Sequence, residues 1–388
     1  MTSRYGRPPL SEEALLSSAN FTLSLLPARL AHRVQSLRNL PFIVVSNPHI
    51  STIYNNYLHS LSTLLPFSKR HITTRKEEEH FTEVMADLVQ THSNTIPVLA
   101  RGFLECRKYI SPLEVTKFLN QHLRARIGTR LVAEQHLALH MASQPGLSPR
   151  PSNYIGVIDT ALRPAVIIRS CEGFVSEICE LKYGVRPTLI INGEVDAELT
   201  HVPVHLEYII TELLKNAFRA TIESGKEREP IEITIAAAPD VPQTKLEALK
   251  KLSVNAETNY DFSQDGLAEY CNSSEGIIGP LNSAAQSITI RIRDRGGGIP
   301  PETLPNIWSY SFTTFNNEEA ALADNGNTDA LNAISSGGGN SSSIAGLGYG
   351  LPLGRAYAEY FGGGIAVQSM YGWGTDVYLS LQGIGKID

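Results

Sequence analysis

Glu212 and Asn216 stand four residues apart in the run ITELLKNAFRA. On a helix that spacing puts both side chains on one face. A carboxylate there can accept or orient a proton, and an amide oxygen suits a hard cation such as Mg²⁺. Taken alone, the pair equally fits a solvated polar stripe. Asp294 opens the run DRGGG, with Gly296 and Gly298, directly after the alternating stretch SITIRIR. Its glycines let a ligand approach the backbone closely. A carboxylate at a strand end can also accept a hydrogen bond from an exocyclic amine such as that of adenine; a plain glycine turn is the alternative. Gly346-Leu347-Gly348-Tyr349-Gly350-Leu351 then leads into RAYAEY. A glycine loop that opens a helix presents free backbone N–H groups and the helix dipole to a phosphate. No GK[ST] follows, so it is not a Walker loop, and a lone GxGxG is a weak signal. Thr375, in GTD near the last strand, adds a hydroxyl. The order of all four elements is more specific than any one of them.

These residues need elements to hold them. Residues 205–222 read as a strong helix. Residues 231–236, 287–293, 364–368 and 376–381 read as strands, preceded by the β-branched run TLIIN at 188–192. Strands mixed with a few helices predict an α+β sandwich. Before it, apolar residues recur at helical spacing in four stretches: Leu30, Val34 and Leu37 after Pro27; Ile50, Ile53 and Tyr57; Phe81, Met85 and Leu88; and Leu119, Leu123 and Ile127. With a further helical stretch over 163–182, this predicts a bundle of about four helices. The expected organisation is a flexible leader at 1–20, a helical bundle at 21–183 and the sandwich at 184–388. Two segments fit no core. Residues 239–286 form an acidic, polar insertion with a short helix expected at 245–252. Residues 316–345 lie between the glycine motifs and include the low-complexity run SSGGGNSSS.

The 388 residues are 42% hydrophobic and 19% charged, with a net charge of −6, which opposes a general nucleic-acid binder. Cys106, Cys171, Cys179 and Cys271 form no CxxC pair, so a zinc ribbon or disulfide scaffold is not expected. No apolar run reaches the roughly 18–20 residues of a membrane span. Arg4 and Arg7 precede the first acid, Glu12; the tail of an organelle transit peptide and a disordered leader both fit.

The motif set resembles the N box and two glycine boxes of the GHKL superfamily, which includes histidine kinases, the Hsp90 chaperone, MutL and topoisomerase subunits. The likeness goes further. LPFIVVSNPHI, RIGTRLVAEQHLALH, RSCEGFVSEICELKYGVRP, HLEYIITELLKNAFRATIES, SYSFTT and GLGYGLPLGRAYAEYFGG resemble the mitochondrial α-keto acid dehydrogenase kinases over about residues 20–382, the two insertions excepted. The resemblance implies a four-helix regulatory and lipoyl-docking bundle followed by a Bergerat-type ATP-binding sandwich. It further implies a protein-serine kinase of the mitochondrial matrix that inactivates the E1 component of such a complex.

By that likeness Glu212 would activate the substrate hydroxyl and Asn216 would hold Mg²⁺. Asp294, Gly296, Gly298 and Thr375 would meet adenine. Gly346, Leu347, Gly348, Tyr349, Gly350 and Leu351 would serve the phosphates, with 300–345 as an ATP lid. His136, Lys215 and Arg219 are further candidates. The implied cofactors are ATP and Mg²⁺, with K⁺ as a further cation. The implied partners are E1, the lipoyl domain of E2, reached by the outer end of the bundle, and a second copy of the chain, joined through the C-terminal sheets. An α-keto acid pocket within the bundle is also implied. Tyr208, one turn before Glu212, together with LALH and RAYAEY, resembles the branched-chain enzyme, and QGIGKID after Leu381 does not show the Asp-Trp of the animal pyruvate dehydrogenase kinases; pyruvate dehydrogenase kinase is the alternative. Two rivals from other classes are a GHKL ATPase clamp or chaperone, opposed by the bundle-first order, and a histidine kinase, opposed by the absence of an acid directly after His136.

Overall fold

The computed structural model describes residues 8–144, 153–238, 286–310, 312 and 348–384. Helices come first: α1 (Glu12–Arg38), α2 (Phe42–Val45), α3 (Pro48–Ser68), α4 (Arg75–Thr91), α5 (Thr95–Glu105) and α6 (Pro112–Ala142). Capping sets where they start. Ser11 accepts from the Ala14 N–H ahead of α1, and Asn47 from His49 and Ile50 ahead of α3, with Pro48 at the first helical position. Thr74 with Glu77 and Ser111 with Glu114 form reciprocal capping boxes at α4 and α6. The apolar faces then meet in one core that includes Leu26 and Leu30 of α1, Ile50 and Ile53 of α3, Phe81 and Met85 of α4, and Leu119 and Leu123 of α6.

Three sequence expectations change here. The leader expected over 1–20 gives way at Glu12, because Ser11 caps a helix whose Leu15 and Ala19 are buried; residues 1–7 lie outside the described residues. Pro27 reads as a helix start but sits inside α1. It forgoes one backbone hydrogen bond, and the burial of Leu23, Leu26 and Leu30 around it outweighs that loss. α5 is not expected from the sequence. It tolerates Pro97 because the proline falls in its first turn, where no N–H is needed.

The second core begins earlier than the expected boundary at 183. A small antiparallel sheet, ordered β1-β2-β4, joins β1 (Tyr154–Ile155), β2 (Ile158–Leu162) and β4 (Leu199–His201). α7 (Pro164–Tyr183) has the expected helical spacing but packs on α8 (Pro203–Glu223) rather than in the bundle. Its Ile168, Cys171, Val175 and Cys179 share a core with Ile209 and Leu213. Periodicity reveals an apolar face, not the surface that covers it.

The main sheet has the order β3-β5-β6-β8-β7, built from β3 (Leu189–Gly193), β5 (Ile231–Ala237), β6 (Ser287–Asp294), β7 (Gly364–Met370) and β8 (Gly374–Gln382). β3 and β5 are parallel and the other neighbours antiparallel. The pleat sends Ile288, Ile290 and Ile292 of β6 inward. On the other face Arg293 donates twice to Asp376, at 2.7 and 2.6 Å. α8 and α9 (Gly350–Tyr360) pack against the inner side.

α9 also touches α6, and its residues divide between the cores: Leu353 and Ala356 join the bundle, Ala358 the sheet. The architecture is thus the expected α+β fold, helices first. Residues 239–285, including the helix expected at 245–252, and 313–347 lie outside the described residues. Among the described residues no helix is long and apolar enough to cross a membrane.

Candidate active site

A cavity of about 580 Å³ opens where α8, the end of β6, the turn at Leu304–Asn306, the start of α9 and β8 converge. Glu212, Asn216 and Arg219 reach it from α8, and Asp294, Gly296 and Gly298 from the end of β6 and the loop beyond. Gly348, Gly350 and Leu351 line it at the start of α9, and Thr375 at the start of β8. Residues from positions 212 to 375 therefore share one wall-to-wall space.

Glu212 is 5% exposed. Lys215, one turn along α8, forms an ion pair with its Oε1. Its Oε2 lies where a side chain on Gly350 would stand, so any larger residue at the start of α9 would push the carboxylate aside. Asn216 lines the cavity one turn from Glu212. Among the described residues no group of three His, Cys, Asp or Glu side chains could hold a metal alone. One amide oxygen beside one carboxylate therefore fits a Mg²⁺ that arrives with most of its oxygen ligands already on a polyphosphate.

Asp294 is 6% exposed, at the end of β6 opposite Thr375. Burial pushes its carboxyl up to about 6, against the backbone N–H groups of Gly296 and Thr375, which favour the charged form. The Gly296 N–H donates to Oδ1 at 2.8 Å. Gly298 has φ +75°, and a side chain there would strike the Met370 carbonyl, so the loop closes onto the β7–β8 turn. Ile292, Ile299, Ile307, Val367 and Val377 supply apolar walls. Sequence reasoning missed these. Ile292 and Val377 could have been found from strand alternation; Ile307 and Val367 carry no local signal.

The other candidates divide. Arg219 lines the cavity and donates to Glu223 at 2.6 Å. Tyr349 is buried toward the bundle, edge-on to Tyr310 at 5.2 Å, not in the cavity wall. Gly346 and Leu347 lie outside the described residues. His136 does not join the site. It is enclosed among bundle helices, with Ser18 Oγ 3.1 Å from Nδ1 and Thr82 Oγ1 3.0 Å from Nε2, beside Glu78. Burial pushes it down to about 4, so it is neutral. Those partners come from α1 and α4, which no spacing within α6 discloses.

A second, smaller cavity of about 60 Å³ lies inside the bundle, lined by Arg33, Arg126 and Arg130 with Tyr57, Ser60 and His92 among apolar residues. Arg126 donates to the His92 carbonyl at 2.8 Å, and its Nε has no hydrogen-bond partner among the described residues. Burial, aided by Arg126 and Arg130, pushes His92 down to about 4. Fixed positive charge on an apolar lining suits a small carboxylate.

Comparison with known proteins covers both halves. Residues 2–159 match the family described as mitochondrial branched-chain alpha-ketoacid dehydrogenase kinase. Residues 272–383 match the histidine kinase-, DNA gyrase B- and HSP90-like ATPase family. Mitochondrial [pyruvate dehydrogenase (acetyl-transferring)] kinase 1 of Saccharomyces cerevisiae is 32% identical, over 98% of this chain and 82% of its own length. The mitochondrial [pyruvate dehydrogenase (acetyl-transferring)] kinase of Arabidopsis thaliana is 29% identical, over 98% and 88%. The human mitochondrial isozyme 4 is 26% identical, over 99% and 83%.

Proposed function

This chain belongs to the mitochondrial α-keto acid dehydrogenase kinase family, and from that premise we propose that it transfers the γ-phosphoryl group of ATP to a serine of the E1 component of an α-keto acid dehydrogenase complex in the matrix. The observation that carries this reading is the single cavity that joins Glu212 and Asn216 to Asp294, Thr375 and the Gly350 end of α9. Phosphoryl transfer needs positioning and charge neutralisation more than covalent help from the protein. In this reading Asp294 accepts from the adenine amine. The free N–H groups at the start of α9 face the phosphates. Asn216 gives an oxygen to Mg²⁺, which supplies charge neutralisation on the phosphates when bound. Glu212 takes the proton from the incoming hydroxyl.

For the substrate, Tyr208 and the motifs around it favour branched-chain E1. The second reading, pyruvate E1, is favoured by the names of the relatives. The bundle cavity is read as the regulatory α-keto acid pocket on the strength of its three arginines. Lipoyl-domain docking is read onto the bundle end that leaves Phe42 and Leu113 87% and 79% exposed. Dimerisation is read onto the C-terminal sheet.

The decisive assay offers both E1 proteins with lipoylated E2 and labelled MgATP. Phosphoserine on branched-chain E1 with loss of its activity supports the first substrate reading, and preference for pyruvate E1 supports the second. ATP turnover without transfer to either overturns the kinase assignment. Asn216→Ala should abolish transfer, and full activity in that variant would remove the metal role. Glu212→Gln should keep ATP affinity and lower kcat by about 10²–10⁴-fold; weakened ATP binding with unchanged turnover would make Glu212 a binding residue instead.

A further inference from the structure

Residues at the start of α9 alternate between two sides. Gly348 and Gly350 line the larger cavity, while Tyr349 between them is buried in the bundle core. Tyr349 is the N-cap of α9, and its side chain makes no capping hydrogen bond. Serine, threonine, asparagine or aspartate is usual at that place, because its oxygen takes an N–H of the first turn. A tyrosine there leaves those N–H groups open to a ligand. Among the first three helical residues only Gly350 and Leu351 carry one, the third being Pro352.

The chain repeats the arrangement beyond β6. Phe312 lines the cavity, and Tyr310, two residues before it, is buried in the same bundle core. The two segments meet on both sides. Gly348, at φ +74°, lies so close to the Phe312 carbonyl that a side chain would strike it. Behind it the Tyr310 and Tyr349 rings meet edge-on, with centroids 5.2 Å apart and planes inclined by 61°. Leu353 and Ala356, further along α9, share that core. The Tyr310 hydroxyl has no hydrogen-bond partner among the described residues. Leaving a buried hydroxyl unpaired is unfavourable, so the ring, through its burial and its aromatic contact, is what holds this residue in place.

We propose that Tyr310 and Tyr349 are positioning residues for the phosphate end of the nucleotide site. Their ring pair anchors the loop at 348–350 to the bundle core, so the Gly350 and Leu351 N–H groups keep a fixed aim into the cavity. Neither ring touches the nucleotide. The bundle thereby forms the back of the phosphate site, whereas the adenine end at Asp294 and Thr375 rests on β6 and β8. The proposal rests on the reading of the α9 start as the place of the phosphates.

The test compares MgATP with adenosine, which carries no phosphate. Both displace a fluorescent nucleotide from the full chain, and KM for MgATP and an unfolding scan are read beside them. Tyr310→Leu should weaken MgATP about tenfold, the worth of roughly one hydrogen bond to a charged group, and leave adenosine within about twofold. KM should rise with the lost affinity. Tyr310→Phe, which keeps the ring, should match the wild type for both ligands. Equal weakening of MgATP and adenosine in Tyr310→Leu, or no weakening of either, overturns the proposal. So does a loss in Tyr310→Phe as large as in Tyr310→Leu. Should the leucine variant not fold, Tyr349→Met, which fills most of the same space, is read against the same two ligands, and the same outcomes decide. A wild-type protein that binds adenosine as tightly as MgATP removes the phosphate reading itself, and this proposal with it.

Discussion

Asp294 holds its charge at a cost, because burial pushes its carboxyl from an ordinary 3.8 to about 6. A folded-state value above the unfolded one makes the contribution to stability complete below about pH 4 and lost as pH rises through about 6, at most about 3 kcal/mol. His92, His136 and His201 act in the opposite sense. Burial pushes each down to about 4, so their contribution is complete above 6.5 and lost as pH falls through about 4. The wild-type protein should therefore lose stability on acidification below 6.5. The Asp294 effect should appear as a difference from Asp294→Asn in unfolding scans between pH 4 and 8; identical profiles would show that burial does not perturb this carboxyl. The proposed adenine contact adds a second response. A donor amine favours the ionised carboxylate, so ATP affinity should weaken as pH falls below about 6, and Asp294→Asn should flatten that dependence in a fluorescence titration. The residue was legible in sequence because a lone acid followed by three glycines ends an alternating strand. Its shifted acidity was not, because the burial comes from elements distant in the chain. For His136, a place at the site and a satisfied core position fit the sequence equally, and spacing could not decide between them because the Ser18 and Thr82 hydroxyls that satisfy it lie more than fifty residues away.

The elements were legible where local chemistry punctuates them. α4 and α6 begin at capping boxes, and β6 alternates along its whole length. Where punctuation and burial conflict, burial prevails: Pro27 reads as a start and lies mid-helix, and α7 has a clear apolar stripe whose partner no spacing specifies. The start of α9 combines both kinds of information. Its glycine was visible, and so was Glu212, but the closeness of the two was not. Gly350→Ala should separate fold from function. Alanine's preference over glycine is about 1 kcal/mol in a helix interior and less at this first position, so against the displaced carboxylate the unfolding midpoint should change little. The added methyl would displace Glu212, and a displacement of about 1 Å at a reacting group costs on the order of 10²-fold in rate. Steady-state kinetics beside a thermal scan checks both halves, and wild-type kcat in this variant would place Glu212 outside the reacting geometry.

At the scale of the whole molecule, α9 has residues in both cores, and α6 is a bundle helix it meets. Arg124 of α6 pairs with Glu359 of α9. Glu359 also accepts from Arg355 at 2.6 Å, and the Arg355 guanidinium lies 4.7 Å over the Trp308 ring beside the larger cavity's rim residue Ile307. α6 in turn supplies Arg126 and Arg130 to the bundle cavity. A continuous set of contacts thus runs from the proposed α-keto acid pocket to the helix whose first residue faces Glu212. The Arg124 side chain is half exposed, and exposed ion pairs are worth about 0–1 kcal/mol, so Glu359→Gln should barely move the unfolding midpoint. What it should change is coupling. If an α-keto acid in the bundle alters ATP affinity, linkage requires ATP to alter the affinity for the acid by the same factor. In Glu359→Gln both factors should move together toward one, with either ligand's affinity alone little changed. Calorimetric titration of each ligand, with and without saturating amounts of the other, checks this in four measurements per variant. A coupling factor that survives the substitution would show that α6 and α9 communicate through their packed apolar faces, Leu353 and Ala356 against the bundle, rather than through the charged bridge.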